Sequence, residues 1–513
     1  MARRPGGGGR RGRGRGQRPA RDRTVDLDRY RPIIAEWEAF SEAAGRPEPT
    51  VFRIRAGQVS EAVLLERLAE QGFVTRPLTG LPSFHQVEQA PRAISQTLEH
   101  WLGLIYIQQA STGVAAPEVG VSPGQRVLDM CSAPGGKTTH LAELMGDRGC
   151  LVAGEISEPR IRGLLGNVYR LGHPNILVVA GDGREFPEGA LFDHVLLDAP
   201  CSGEGTLRRS GGQAPNQSSS FLGYVTAAQR SLLEKAVRLT RPGGTILYVT
   251  CTFSPEENEA VVSEALGRLP IELEPLELPV PHARGVTSWD GKNFDPRVEG
   301  AARIYPHHLD SGGLFLARLR RLDDGDEGPA SGWGPVPTRF PDEEARPPNV
   351  DGPESDAASL EEREVELLDS GMADLAARYG VPAAPDVRRW ILRGGRAWMH
   401  TLDEWPLNVW EPGPWRPISV GFRAIDFDSQ GRPRPTNDLL RWLGTAMTDR
   451  VIDLDAASLK SVLERQPIPT DIEARGPVAL SWRGDVIGRG AVTGDGLKSE
   501  IPKARATDLL RLL

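Results

Sequence analysis

Cysteine is scarce in this chain. Four occur in 513 residues, at positions 131, 150, 201 and 251, and none forms a Cys-x-x-Cys pair. That excludes a disulfide scaffold and the usual four-ligand zinc module. No run of about 18 apolar residues occurs, so no membrane-spanning helix and no membrane partner are expected. The amino-terminal MARRPGGGGRRGRGRGQR has charge but no apolar core, and so does not read as a secretory leader. A reducing, cytoplasmic setting is the expectation. What is present is a globular balance, 39% hydrophobic and 25% charged. At 513 residues the chain exceeds one ordinary core, so three or more units are expected.

Charge is unevenly placed. The net charge is −8, yet residues 1–23 carry nine Arg and one Asp, leaving −16 on the remainder. A basic arm on an acidic body suits an anionic partner, and Arg-Gly segments hold RNA by charge and stacking. A solubilising tail is the competing reading.

Residues 1–24 lack core-forming side chains and read as a disordered Arg/Gly-rich tail. Residues 25–110 read as a small α+β unit, with PTVFRIR as a strand and SEAVLLERLAEQG as a helix ended by Gly72. Residues 321–358 have the Asp, Glu, Gly and Pro of a linker. A connecting α+β region follows over 359–425, opened by the helix LEEREVELLDSGMADLAARYG. The last unit, 426–513, contains VALSWRGDVIGRGAV, two strands around a turn at Gly484-Asp485.

The middle, residues 111–320, alternates apolar strands with amphipathic helices. RVLDM (126–130), CLVAGE (150–155), NILVVAGD (175–182), DHVLLDAPC (193–201) and GTILYVTC (244–251) are the strands. PRIRGLLGNVYRLG and VTAAQRSLLEKAVRL are among the helices. The alternation predicts an α/β fold with a parallel, doubly wound, Rossmann-like sheet. Ligands of such sheets lie beyond the carboxyl ends of the strands.

DMCSAPGGKT (129–138) joins the first strand to the first helix, and Gly135 and Gly136 let the backbone approach a ligand. A nucleoside-triphosphate loop would need Gly where Cys131 stands, and the dinucleotide fingerprint GxGxxG is absent. S-adenosylmethionine is the third candidate. Glu155, Asp182 and Asp198 close the second, third and fourth strands. Any one alone reads as an ordinary solvated acid or cap. Together they suit a ligand with a ribose and a positive charge, as S-adenosylmethionine is.

Cys201, in DAPCSGEG, and Cys251, in VTCTFSPEENE, follow the fourth and fifth strands. Free cysteine is usually packing, which is the reading for Cys131 and Cys150. Cys201 and Cys251 instead precede loops and helix starts, where a helix N-terminus lowers a thiol pKa. A regulatory disulfide is the other option. A thiolate beside S-adenosylmethionine solves a specific problem. Carbon 5 of a pyrimidine is a poor nucleophile until a thiolate adds to carbon 6. The pair therefore suits cytosine-C5 methylation better than O- or N-methylation.

The chain resembles the Nol/Nop/Sun family of RNA cytosine-C5 methyltransferases. The likeness lies in FRIR (52–55), GLIYIQQAS (103–111), VLDMCSAPGGKT (127–138), GDGREF (181–186), LLDAPCSGEGTLR (196–208), RPGGTILYVTCTFSPEENE (241–259) and YPHHLDSGGLFLARL (305–319). It implies that Cys251 is the nucleophile and that Cys201 assists product release. It places the cofactor against Cys131, Ser132, Ala133, Pro134, Gly135, Gly136, Lys137, Glu155, Asp182 and Asp198, with Asp198 also facing the target cytosine. RGGRAWM (393–399) and LSWRGDVIGRGAVTGDGLKSEIPKAR (480–505) resemble the extension of bacterial small-subunit ribosomal RNA members, ending in a PUA-like barrel. The resemblance thus implies an RNA partner, 16S ribosomal RNA or the small ribosomal subunit, and a monomeric enzyme without a metal. A transfer RNA target and a non-catalytic ribosome-assembly factor remain alternatives. Two departures stand out: RSGGQAPNQSSSFLGY (209–224) is nearly uncharged and low in complexity, and Glu155 stands where Asp is common.

Overall fold

The computed structural model describes residues 27–513 except 56, 210–217, 324, 326–331, 338, 341–372, 374, 382–388, 394–395, 408–414, 428–432 and 471–474. The Arg/Gly tail, most of the linker 321–358, most of the helix expected from 359, part of RGGRAWM and residues 210–217 lie outside the described residues. Among the described residues, no helix is long and apolar enough to cross a membrane.

The amino-terminal unit is a four-stranded antiparallel sheet of β1 (Val51–Ile54), β2 (Val74–Pro77), β3 (Phe84–Gln89) and β4 (Ile105–Ile107), in the order β2-β3-β1-β4. The helix Glu61–Glu70 is set by Ser60, whose hydroxyl accepts from the Val63 N–H, and it buries Leu64 and Leu68.

The central sheet has ten strands. Five are parallel: β5 (Arg126–Asp129), β6 (Cys150–Glu155), β7 (Ile176–Ala180), β8 (Phe192–Asp198) and β9 (Thr240–Thr250), in the spatial order β9-β8-β5-β6-β7. These are the five apolar runs of the sequence. Successive residues supply opposite faces, as the two-residue period of a strand requires. Leu128, Val152, Leu177, Val195 and Ile246 enter one core; Val127, Leu151, Val178, Leu196 and Leu247 enter the other. Helices cover both faces, so each strand is apolar throughout. The order reverses between β5 and β8, which opens the ligand crevice at the carboxyl ends of β5, β6 and β8.

Both edges of the parallel core are closed by antiparallel strands. Leu314–Arg321 pairs with β9. Arg416–Val420, from the segment read as a connecting region, pairs with β7. Just before it, buried Trp415 occupies the space above Gly154 and Gly181, where a Cβ would come within 2.5 Å and 2.8 Å of its ring. These glycines therefore serve packing.

The long helix Ser219–Leu239 starts six residues before the expected 225, because the Ser218 hydroxyl accepts from the Phe221 N–H and caps it. Residues 219–224 of the low-complexity segment thus belong to a helix. The carboxyl-terminal sheet comprises Val451–Asp453, Gly476–Trp482, Asp485–Thr493 and Gly496–Ser499. Its central hairpin turns at Arg483 and Gly484 (φ 57° and 83°), one residue before the expected Gly484-Asp485. A two-residue hairpin loop of this hand takes positive φ at both positions.

Candidate active site

The cofactor-type loop is held from three sides. Gly135 (φ 104°) precedes the helix Gly136–Leu144 in a left-handed conformation that suits glycine. From the helix Glu158–Leu171, Arg160 donates to the Ala133 carbonyl (2.6 Å) and Asn167 to that of Pro134 (2.9 Å). From β1, buried Arg53 donates to the Gly136 carbonyl (3.2 Å), Thr139 Oγ1 (3.1 Å), Gln108 Oε1 (2.9 Å) and Glu143 Oε1 (2.9 Å). FRIR thus braces the loop from another domain.

The acidic residues occupy successive strand ends. Glu155, 2% exposed, accepts from the Ser157 N–H through Oε1, while its Oε2 is buried without a hydrogen bond, 3.0 Å from Arg160. Asp198 accepts from Lys137 Nζ at 2.7 Å. Asp182 is engaged by the backbone N–H and guanidinium of Arg184. Cys131 lies among these acids, and burial plus the charges of Asp129, Asp198 and Glu155 push its thiol well up, so it stays neutral. Asp129, at the end of β5, was not singled out from the sequence. Burial pushes its carboxyl up to about 7 against the pull of the Thr138 hydroxyl, and its Oδ1 is buried without a partner. Asp129 Oδ1, without a hydrogen bond, and Glu155 Oε2, ion-paired with Arg160 but without one, border the Gly loop. Such acceptors suit donor groups such as an ammonium or ribose hydroxyls.

Cys201 and Cys251 sit at the ends of adjacent parallel strands, with Sγ atoms 3.2 Å apart. The two differ in acidity. The hydrogen bond from Cys201 lowers the Cys251 thiol, against burial, and Lys137 lowers it further. The same hydrogen bond and burial push Cys201 well up. Of the two thiols, Cys251 is the more acidic. The helix N-terminus expected from the sequence is not the cause: after Cys251 the next α-helix is Glu259–Leu266, and after Cys201 there is only a short 3-10 turn, Glu204–Thr206. The neighbouring thiol and Lys137 do that work.

The two thiol loops are cross-tied. Glu257 accepts from the Ser202 N–H (2.9 Å) and from Gln229 (3.1 Å), which also donates to the Pro200 carbonyl (2.8 Å). Glu204 accepts from Thr252 (3.1 Å) and from Tyr30 (2.7 Å). Asn258 donates to the Thr252 carbonyl (3.0 Å), and the Gly205 N–H to the Cys251 carbonyl (2.8 Å). These partners explain the GEG and PEEN letters beside each cysteine; Tyr30 carried no sequence signal. Among the described residues one other group gathers metal-type donors, Glu36, His307 and His308. The Tyr305 N–H donates to His308 Nδ1, which leaves the proton on Nε2 and makes that nitrogen a poor ligand.

A doubly wound sheet, a Gly loop ringed by strand-end acids and a close thiol pair fit the methyltransferase class. Comparison with known proteins narrows this. The family described as 16S rRNA methyltransferase RsmB/F matches residues 119–320. "Ribosomal RNA small subunit methyltransferase F" of Vibrio atlanticus (strain LGP32) is 29% identical over 504 residues, covering 94% of this chain and 96% of that protein. The protein of the same description from Klebsiella pneumoniae (strain 342) is 35% identical over 59% of this chain and 63% of its own length. The crystal structure of a methyltransferase homolog from Pyrococcus horikoshii is 32% identical and superposes with a TM-score of 0.51, covering 57% of this chain and 94% of that one. Residues 119–320 thus carry a methyltransferase domain that matches the RsmB/F family.

Proposed function

We propose that the protein methylates carbon 5 of a cytosine in 16S ribosomal RNA through a transient bond between Cys251 and carbon 6. The observation that carries this reading is the thiol pair, 3.2 Å apart, with Cys251 shifted down and Cys201 up. O- and N-methylation have no use for a sulfur nucleophile. The ribosomal target is supported by the Vibrio atlanticus relative, which aligns over nearly its whole length.

S-adenosylmethionine, when bound, supplies an electrophilic methyl group. The residues fit it through Ser132–Lys137 around its amino-acid end, Glu155 toward the ribose and Asp182 toward the adenine. Ile156 stands beside Glu155 and is 63% exposed, an apolar surface that an adenine ring would cover. Cys251 attacks carbon 6, which makes carbon 5 the nucleophile toward the methyl group. Lys137 adds to the lowering of Cys251 by Cys201 and holds Asp198, which orients the base. The attack removes the negative charge from Cys251, and with it a main cause of the raised Cys201 pKa. Cys201 then titrates closer to an ordinary thiol. It is the group beside the adduct able to exchange a proton as the carbon-5 hydrogen leaves and Cys251 is expelled. The carboxyl-terminal sheet serves as a PUA-like RNA-holding module, and the enzyme acts as a monomer.

The test is methyl transfer from labelled S-adenosylmethionine to unmodified ribosomal and transfer RNA pools, with nucleosides identified after digestion. Label in 5-methylcytidine of the 16S fraction is expected, absent with Cys251→Ala. Cys201→Ala is expected to accumulate a protein–RNA adduct. A reversed trapping pattern would overturn the assignment of roles, and label confined to transfer RNA would overturn the target.

A further inference from the structure

A second polar cavity lies where three parts of the chain meet. It has a volume of about 230 Å³ and is lined by Arg55 after β1, Arg170 near the end of the helix Glu158–Leu171, and Asp438 and Arg441 of the helix Asn437–Leu443. None of residues 131–137 of the cofactor loop lines it, although Arg170 bonds to Asn167, whose amide in turn holds the Pro134 carbonyl. The cavity is therefore separate from the methyl-transfer site.

Its positive charge is under-compensated. The Arg441 side chain is 8% exposed. Its Nη2 donates to Asp438 (2.5 Å), but its Nε and Nη1 are buried without a partner. Arg170 donates to the carbonyls of His100 and Ile105 and to Asn167 Oδ1 and lies 5.8 Å from the centre of the Tyr106 ring, with no carboxylate partner among the described residues. Behind the cavity, Arg505 rests 4.1 Å from the centre of the Trp101 ring, which Arg441 also approaches at 5.5 Å. Burial, with Arg441 among the added causes, lowers Arg170 to about 10 and Arg505 to about 9. The acids nearby are committed: Asp485 to Arg67 (2.6 Å) and Asp147 to His173 and Arg55. Buried guanidinium groups that outnumber their carboxylate partners are costly, and an anion among them would offset that cost. Arg forks match phosphate oxygens in pairs.

We propose that this junction cavity is a phosphate-binding site formed by Arg170 and Arg441, with Arg505 behind them. The phosphate is a backbone phosphodiester of the RNA substrate, a choice that rests on the proposed activity; a free phosphate anion is the other source of the same chemistry. The site would grip RNA outside the methyl-transfer crevice and lock the amino-terminal, catalytic and carboxyl-terminal parts together.

The test uses the full chain and does not read methyl transfer, so it stands apart from the fate of the proposed function. Thermal unfolding is followed with millimolar pyrophosphate against chloride at equal ionic strength. RNA binding is measured across a salt series with unmodified 16S ribosomal RNA. A saturable rise in Tm with pyrophosphate is expected for the wild type, lost in Arg441→Gln and Arg505→Gln and kept in Arg441→Lys, which guards against misfolding. For the backbone source, Arg441→Gln reduces the slope of log K against log salt by about 0.7–0.9. An unchanged slope with pyrophosphate binding intact in the wild type assigns the site to a free anion and overturns the RNA source. No pyrophosphate effect in the wild type, with equal salt slopes for both proteins, overturns the site itself.

Discussion

Replacing Arg53 with methionine removes the strut between the amino-terminal sheet and the cofactor loop. Arg53 is 1% exposed, and its partner Glu143 keeps only 7% of its side chain in contact with solvent. Burial alone would raise the Glu143 carboxyl, yet Arg53, with help from His173, holds it down at about 2. Against an unfolded value near 4.3, at about 1.36 kcal/mol per unit, the folded charge state contributes about 3 kcal/mol. That agrees with the ~3–5 kcal/mol lost when one member of a buried pair is removed. The folded pKa is depressed, so this stability is complete above the unfolded value and lost as pH falls toward 2. In Arg53→Met the orphaned carboxylate takes up a proton at higher pH, which softens the damage in acid. The gap between variant and wild type should therefore be largest near neutral pH and narrow on acidification. At roughly 2–4 °C per kcal/mol, Tm should fall about 6–12 °C at pH 7. Calorimetry from pH 7 down to 4 measures this, with S-adenosylmethionine affinity read alongside, because Arg53 also holds the Gly136 carbonyl and Thr139. Arg53→Met/Glu143→Leu, which removes both charges, should recover most of the loss. A gap under about 1 kcal/mol at pH 7, or one that does not change with pH, would refute this account.

Iodoacetamide at neutral pH should alkylate Cys251 before Cys131, Cys150 and Cys201, read by peptide mass spectrometry; uniform labelling would contradict the assigned order of acidity. Lys137→Met removes a cation that lowers Cys251, so the pH profile of alkylation should move to higher pH. Gly205→Ala places a Cβ 2.5 Å from the Gly313 carbonyl and 2.9 Å from that of Cys251, so turnover should fall together with a stability loss of about 1–3 kcal/mol by thermal unfolding. Deleting residues 1–24 should flatten the salt dependence of RNA binding without altering the chemistry; an unchanged slope would reject a role for the basic arm.

The parallel sheet was readable because β5 to β9 are short apolar runs separated by amphipathic helices, a pattern set by local burial on both faces. The placing of the Gly loop, the strand-end acids and the Cys201–Cys251 pair around one crevice was readable for the same reason: strand ends fix where side chains gather. What was not readable depends on long-range contact. Asp129 looks like any strand-end acid until its burial is known. The order of acidity of Cys201 and Cys251 depends on a 3.2 Å approach between residues 50 apart. Tyr30 meets Glu204 across 174 residues, and Arg53 meets Glu143 across 90. Nothing in RPISV (416–420) announces that it will pair with β7, because a short mixed strand gives no hint of its partner.

That last pairing bears on how the protein is made. β7 ends at Ala180, while the strand that covers its free edge begins at Arg416. Trp415, which packs over Gly154 and Gly181 and donates from its indole N–H to the Asp182 carbonyl, arrives with it. At about 5–20 residues per second of synthesis, the edge of a fully apolar strand waits on the order of tens of seconds for its cover. During that time the nascent chain exposes an unpaired β-edge and an unfilled hollow beside the adenine end of the site. A fragment ending near residue 320 would keep the chemistry-bearing letters yet leave this edge of the sheet unpaired.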